Sequence, residues 1–220
     1  PADELRALLR SLARNVGASV TRAVLAKDVF QTEGPTAAQL NAVTQGTRYL
    51  ESHYVVSSLG GWDAPIKSPS RLRTKPKYLF ADPSLPAALL GASPDRLMEN
   101  LQLLGQLFEE MCLRDLEVYA RAHPDAGSDP LRYYRDSDGL EVDAIIELDD
   151  GRWGAIEIKL GENKVEQAEK NLSRLARKIA ANPAARNPEP SFMAVLVGKT
   201  NFKYRTEAGT YVLPITCLAP

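Results

Sequence analysis

The stretch EVDAIIELDDGRWGAIEIK, residues 141–159, decides how the second half of the chain folds. It reads as two strands rich in Val, Ile and Ala, separated by the turn residues DDG. Runs this apolar are typical of strands inside a sheet, where a charged side chain is costly. Asp143, Glu157 and Lys159 nevertheless interrupt them, so these three charges need a physical reason.

The turn between the two strands determines whether those charges meet. Residues two apart in a strand share a face, so Glu157 and Lys159 point the same way. A two-residue turn would pair Asp143 with Ile158 and put the carboxylates on opposite faces of the sheet. A three-residue loop over 149–151, ending on a left-handed glycine, would pair Asp143 with Glu157. We therefore predict the three-residue loop, and a two-residue turn would refute the site.

In that register the three charges form a candidate metal site. Two adjacent carboxylates repel each other unless a cation lies between them. Their hard oxygen atoms suit Mg²⁺ or Mn²⁺, and the Ile158 carbonyl can add a third ligand. Lys159 would orient the attacking water and neutralise charge on phosphorus, as in metal-assisted phosphodiester hydrolysis. The spacing D-x13-E-x-K also occurs on exposed strand faces, and the apolar flanks argue against that interpretation.

The segments around this stretch predict an α/β core. A long amphipathic helix begins after Ser93, and a three-stranded antiparallel meander follows it. A charged amphipathic helix spans residues 162–181, and the apolar run 191–198 predicts a central strand. Residues 210–218 form the last strand, where Pro214 favours an edge position or a bulge. The predicted order is α-β-β-β-α-β-β, around a mixed sheet flanked by helices.

The N-terminal part of the chain predicts a winged helix-turn-helix. Helical periodicity over 3–15, 18–30 and 36–51 predicts three helices, and YVVSSLG and PKYLFAD predict a two-stranded wing. Residues 82–95 are rich in Pro, Gly and Ser, which places the domain boundary near residue 91. We therefore expect a winged-helix domain over 1–90 and an α/β domain over 91–220.

Basic side chains form two candidate phosphate-binding groups. The third helix carries only Arg48 as a basic residue, so base reading by that helix is poorly supported. The basic loop between the wing strands is a better candidate, although a solvated loop would have the same composition. The helix after the motif interleaves basic and acidic residues, which favours a salt-bridged surface over a DNA-binding one. The candidates are Lys67, Arg71 and Arg73 in the loop, together with Lys75 and Lys77, and Lys164, Lys170 and Arg174 on the helix.

Composition excludes several classes of protein. With 27 basic and 28 acidic residues among 220, the chain has no global attraction to nucleic acid, so any DNA site must be local. Two distant cysteines make no disulfide framework. No signal peptide or membrane-spanning run is apparent, so we expect a cytoplasmic protein with no membrane contact. The chain begins with Pro rather than Met, which suggests a piece of a longer protein.

Several segments also carry a family resemblance. GQLFEE, YYRDSDGLEVDAIIE, GAIEIKLG and AGTYVLPI resemble the domain of unknown function that forms the C-terminal part of many prokaryotic AAA-type ATPases. The core of that family is similar to the PD-(D/E)XK restriction-endonuclease fold. LESHYVVSSL and KPKYLFADPSL resemble the segment that usually connects the ATPase module to this core. The resemblance covers nearly all of the chain and implies an ATPase module upstream of it.

The resemblance implies a set of nuclease residues and two functions. The set is Glu109 as the first-helix carboxylate, Asp143 and Glu157 as metal ligands, and Lys159 as the catalytic lysine. Glu110 remains an alternative to its neighbour, and Val142 replaces the proline of the superfamily name. The implied function is metal-dependent DNA cleavage, or a catalytically silent module that binds nucleic acid or protein. Gly198-Lys199-Thr200 lacks the first glycine of a P-loop, so we expect no nucleotide binding by this chain.

Overall fold

A computed structural model describes residues 2–200 and 202–218 of the chain. The helices are α1 (Ala2–Arg14), α2 (Arg22–Phe30), α3 (Ala37–Ser52), α4 (Ser70–Arg73), α5 (Ser84–Leu89), α6 (Pro94–Glu99), α7 (Leu101–Ala122) and α8 (Val165–Ala180). The strands are β1 (Val56–Leu59), β2 (Lys77–Phe80), β3 (Ala126–Arg135), β4 (Glu141–Leu148), β5 (Trp153–Gly161), β6 (Phe192–Lys199), β7 (Tyr204–Arg205) and β8 (Tyr211–Pro214). No described helix is both long enough and apolar enough to cross a bilayer.

The chain divides into two units that are not simple halves of the sequence. The first unit comprises Pro1–Leu59 and Lys75–Met111, and the second comprises Gly60–Thr74 and Cys112–Pro220. The second unit therefore takes in the segment between β1 and β2, and the division between the units falls within α7.

The first unit contains the three helices and two strands that the periodicity predicts. Thr36 and Gln39 form a capping box at the start of α3, with hydrogen bonds of 2.8 and 3.3 Å, which satisfies two free backbone N–H groups. Strands β1 and β2 pair antiparallel. The helices and strands bury a common apolar core that includes Leu8, Leu12, Leu25, Val43, Leu50 and Phe80.

Residues 82–100 differ from the prediction of a linker followed by one long helix. The short helices α5 and α6 lie there, and Ser93 caps α6 rather than the long helix. Asn100 leaves helical geometry, with φ −121° and ψ 75°, and its side chain accepts a hydrogen bond from Leu103 N at 3.1 Å. Because asparagine competes for backbone donors at helix starts, it ends α6 and begins α7.

A six-stranded mixed sheet forms the centre of the second unit. Its order is β3-β4-β5-β6-β8-β7, with β3, β4 and β5 antiparallel and β5, β6 and β8 parallel. The predicted meander and the central position of β6 are confirmed. Strand β8 lies between β6 and β7 and is not the edge strand, but β7 pairs only with Tyr211 and Val212, so Pro214 lies beyond the end of β7. The edge strand next to β8 is β7, whose two residues are too few to show the alternating pattern of a strand in the sequence.

Helix α8 covers one face of this sheet. It buries Val165, Ala168, Leu172, Leu175 and Ile179. These side chains join one core with Ala155 of β5 and with Val195 and Val197 of β6. The face of β5 that points toward α8 is therefore the face that carries Glu157 and Lys159.

The segment Gly60–Thr74 packs on the open edge of β3 in the second unit. Trp62 N donates to the Tyr133 carbonyl at 2.7 Å, and Tyr133 N donates to the Gly60 carbonyl at 3.1 Å. The Trp62 ring lies 4.9 Å from the Trp153 ring, measured between centroids. The sequence predicted an open basic loop here, whereas the segment is anchored by a buried tryptophan.

Candidate active site

The hairpin between β4 and β5 has the register that the site requires. Ala144 pairs with Ile156 and Ile146 with Gly154, and the same register places Asp143 opposite Glu157. The loop is closed by a 2.8 Å hydrogen bond from Leu148 N to the Arg152 carbonyl, which leaves residues 149–151 as the loop. Gly151 has φ +84°, the left-handed conformation that glycine adopts at little cost. The predicted three-residue loop is confirmed.

Asp143, Glu157 and Lys159 contact one another on neighbouring strands. Lys159 Nζ lies 2.8 Å from Asp143 Oδ2 and forms a second ion pair with Glu157 Oε2. Asp143 Oδ2 also accepts a hydrogen bond from Ile158 N at 2.8 Å. Asp143 is 8% exposed and Glu157 only 1%, so the carboxylates are held within the sheet rather than on a solvated face.

Burial and mutual charge shift the pKa values of this group in a consistent direction. Burial, and after it the charge of Asp143, raise the pKa of Glu157 above its ordinary value. Burial alone would lower the pKa of Lys159, but the Asp143 and Glu157 carboxylates outweigh burial and raise it. Lys159 therefore stays charged, and Glu157 holds a proton more readily than an exposed glutamate does.

Helix α8 adds two polar residues that the sequence reasoning missed. Asn171 Nδ2 donates to Glu157 Oε1 at 3.0 Å, and Gln167 Nε2 donates to Asn171 Oδ1 at 3.2 Å. The sequence signal for Asn171 was its place as a polar residue beside the buried stripe of α8 that includes Ala168 and Leu172. Helical periodicity alone gives no reason to connect that residue with a strand carboxylate.

Glu109 and Glu110 have separate environments in the first unit. Glu109 Oε1 lies 2.9 Å from Nζ of Lys77, whose side chain is 1% exposed. The interpretation of Lys77 as part of an exposed basic loop was wrong, because this lysine is a buried residue of β2. Glu110 is fully buried and accepts a hydrogen bond from Phe80 N. The role of Glu109 as a further carboxylate of the candidate site stays a prediction.

The predicted phosphate-binding residues differ in how far they are already engaged. Arg71 donates two hydrogen bonds of 2.7 Å to Glu147, and its side chain is only 10% exposed. On α8, Lys170 pairs with Glu166 at 2.6 Å, and Arg174 donates to a backbone carbonyl at 3.3 Å. The exposed members of the set are Lys67, Arg73, Lys75, Lys164, Lys170 and Arg174.

The donor atoms at the site suit a hard divalent cation. Among residues 2–200 and 202–218, no cluster of three or more His, Cys, Asp or Glu side chains is arranged to hold a metal. Asp143 and Glu157 nevertheless offer two carboxylates, and the backbone of Ile158 adjoins them. Magnesium is commonly bound by one or two carboxylates while it keeps several waters, so this donor set fits it.

Comparisons with known proteins place the chain in a family. Residues 104–218 match the family described as domain of unknown function (DUF4143), and residues 1–96 match domain of unknown function (DUF8612). No curated protein matches the chain. Among solved structures, the half-complex from the tetradecameric assembly of Thermococcus gammatolerans McrB AAA+ hexamers with bound McrC is similar at 13% sequence identity, with a TM-score of 0.31. That alignment covers 96% of this chain and 70% of the other. A TM-score this low does not establish a shared fold. Since the first match spans more than half of the 220 residues, the protein belongs to the DUF4143 family.

Proposed function

We propose that the second unit is a metal-dependent nuclease core of the PD-(D/E)XK type that hydrolyses DNA. The observation that carries the proposal is the contact among Asp143, Glu157 and Lys159, buried on neighbouring strands of a mixed sheet. The order of α7, the β3–β5 meander, α8 and β6 supports it, since the same order is expected of that core. The helices α1–α3 and strands β1 and β2 are proposed to form a winged helix-turn-helix.

The side chains have distinct proposed roles. Asp143, Glu157 and the Ile158 carbonyl would hold Mg²⁺ or Mn²⁺, which when bound supplies a water of lowered pKa and neutralises charge at phosphorus. Lys159 carries its positive charge next to both carboxylates and would donate to a phosphate oxygen or to the attacking water. Glu109 is proposed as the remaining carboxylate of the site.

The proposed substrate is DNA, held by local basic groups. Lys67, Arg73 and Lys164 are exposed and would contact phosphates directly. Lys170 and Arg174 would add to this group from α8. Arg71 would first have to exchange its two hydrogen bonds with Glu147 for a phosphate. The family resemblance adds an ATPase module as the proposed N-terminal partner, and this chain is proposed to bind no nucleotide itself.

A second candidate is a catalytically silent module that binds nucleic acid or protein. The observation that favours it is the pairing of Lys159 with both carboxylates, because the ammonium group takes the place between them that a metal ion would need. In that case the polar residues would stabilise the sheet, and the nuclease-like fold would present a docking surface.

Metal-dependent cleavage of DNA separates the two functions. Plasmid and linear DNA would be incubated with the chain and Mg²⁺ or Mn²⁺, and cleavage followed on gels. We expect Lys159→Ala and Asp143→Asn to reduce the cleavage rate by about a hundredfold or more. Lys203→Ala, which changes an exposed lysine, is the matched control and should cleave like the wild type. Metal binding without cleavage would favour the silent module, and absence of both would overturn the metal-dependent nuclease.

A further inference from the structure

We infer that Asn171 and Gln167 are positioning residues that fix the orientation of Glu157, an inference that rests on the proposed function. The two residues lie one turn apart on α8, so their side chains meet on one face of the helix. Together they form a chain of two hydrogen bonds, of 3.2 and 3.0 Å, that ends on Glu157 Oε1. We call Gln167 and Asn171 the amide pair.

The two oxygens of Glu157 have different partners. Oε1 accepts from Asn171, and Oε2 pairs with Lys159, which also contacts Asp143. A carboxylate held in this way cannot rotate about its last bond without losing one of the two contacts. Oε2 therefore stays on the side of the site where Asp143 lies, which is the side on which a shared cation would be held.

Gln167 determines which way the amide of Asn171 points. With Gln167 Nε2 donating to Asn171 Oδ1, the NH₂ group of Asn171 faces the carboxylate of Glu157. Reversing the amide would bring Asn171 Oδ1 against Glu157 Oε1 and would place two NH₂ groups together. Gln167 thus acts on Glu157 through Asn171.

The position of Asn171 on the helix supports a specific role. Ala168, Leu172 and Leu175 are fully buried, and Asn171 lies half-buried at the border of their stripe. A leucine there would extend the apolar face of α8 against the sheet. The amide is explained by the buried carboxylate opposite, because removing its donor would leave Glu157 Oε1 with less hydrogen bonding.

The experiment measures Mn²⁺ affinity by calorimetry on the full chain, with thermal unfolding as a check. We expect Asn171→Leu to weaken Mn²⁺ binding by about tenfold, as is typical for residues that orient a ligand. Gln167→Leu should weaken it by about threefold, the value of one neutral hydrogen bond. Since Gln167 acts only through Asn171, the double variant should bind like Asn171→Leu alone.

The matched control is Asn182→Leu, which lies beyond the end of α8. It makes the same substitution and removes a single hydrogen bond, the 3.0 Å bond from Ala184 N to Asn182 Oδ1. Its Mn²⁺ affinity should equal that of the wild type. A purely structural role for the amide pair would instead lower the melting temperature and leave Mn²⁺ affinity unchanged.

Each outcome decides the inference. If the wild type binds Mn²⁺ and Asn171→Leu binds it equally well, or if the two single effects add in the double variant, the positioning role is overturned while the metal site stands. If the wild type binds no Mn²⁺, both proposals fail. If it binds Mn²⁺ but cleaves no DNA, only the nuclease proposal fails. The Mn²⁺ affinities of the variants then still test whether the amide pair positions Glu157. Because Gln167 is exposed, Gln167→Leu keeps the test valid even where Asn171→Leu does not fold, and wild-type affinity in it overturns the inference.

Discussion

Each unit holds a buried lysine–carboxylate group, and the two groups are built in opposite ways. In the first unit the Lys77 side chain is 1% exposed, while Glu109 is 17% exposed. In the second unit the Asp143 and Glu157 side chains are 11% and 2% exposed, while Lys159 is 23% exposed. The lysine is the buried member of the first group, and the carboxylates are the buried members of the second.

The difference in burial bears on which group fits the proposed metal site. A buried lysine beside a carboxylate that water reaches has its charge balanced by that carboxylate and needs no added ion. Two buried carboxylates beside a lysine that solvent reaches keep an attraction for cations and expose a charge to an incoming anion. That combination fits the proposed metal and phosphate ligands of the second unit.

The largest expected effect comes from removing each lysine in turn. Lys159→Met leaves two buried carboxylates without their lysine, so we expect it to lower the free energy of unfolding by about 3 to 5 kcal/mol. Lys77→Met keeps the buried volume and leaves Glu109, which water reaches, so its expected cost is below about 1 kcal/mol. Urea unfolding at pH 7 measures both. A greater loss in Lys77→Met would break the comparison.

Glu110 of the first unit extends the comparison, because its carboxylate is also fully buried. Its Oε1 accepts from Phe80 N, and among the described residues its buried Oε2 has no hydrogen-bond partner. Burial is the main cause that raises the pKa of Glu110 to about 7; the charges of Asp82 and Glu109 act in the same direction, and the hydrogen bond from Phe80 N acts against them. Burial favours the protonated form of both Glu110 and Glu157, but only Glu157 of the two is seen paired with a lysine, Lys159, among the described residues.

Stability should therefore depend on pH through Glu110. Its folded pKa of about 7 exceeds the ordinary value of 4.5, so its contribution is complete below pH 4.5 and is lost as pH rises through 7. The expected loss from this group is about 3 kcal/mol between the two limits. Glu110→Gln cannot titrate, and its unfolding free energy should lack this decline. Parallel pH profiles for the two proteins, measured by urea unfolding, would contradict the assignment.

The sequence was informative wherever a local signal determined a geometry. The DDG turn predicted the three-residue loop, because a glycine at its last position permits the left-handed conformation that sets the register. With the register known, the meeting of Asp143 with Glu157 and Lys159 followed from the two-residue period of a strand. The central position of β6 followed from its uninterrupted apolar run.

The features that the sequence did not predict depend on contacts between distant residues. The burial of Lys77 depends on Glu109, 32 positions away, and the anchoring of Gly60–Thr74 depends on a backbone pairing with Tyr133. The link from Asn171 to Glu157 joins a helix to a strand across the core. No propensity or periodicity encodes such pairs, since each residue alone has the pattern of a surface residue or a loop.

The smallest expected effect concerns the loop that brings the second group together. Gly151 and Gly139 both have positive φ, +84° and +77°, in the two hairpins of the meander. Alanine at Gly139 would meet open space, so its cost is the conformational penalty of about 1 kcal/mol. At Gly151 the new Cβ would lie 2.7 Å from Asn187 Nδ2, which donates to the Asp150 carbonyl at 3.3 Å. Displacing that amide should add about 1 kcal/mol, so Gly151→Ala is expected to cost about twice as much as Gly139→Ala in urea unfolding. Equal losses would mean that Asn187 moves freely and that the left-handed conformation of Gly151 alone maintains the register.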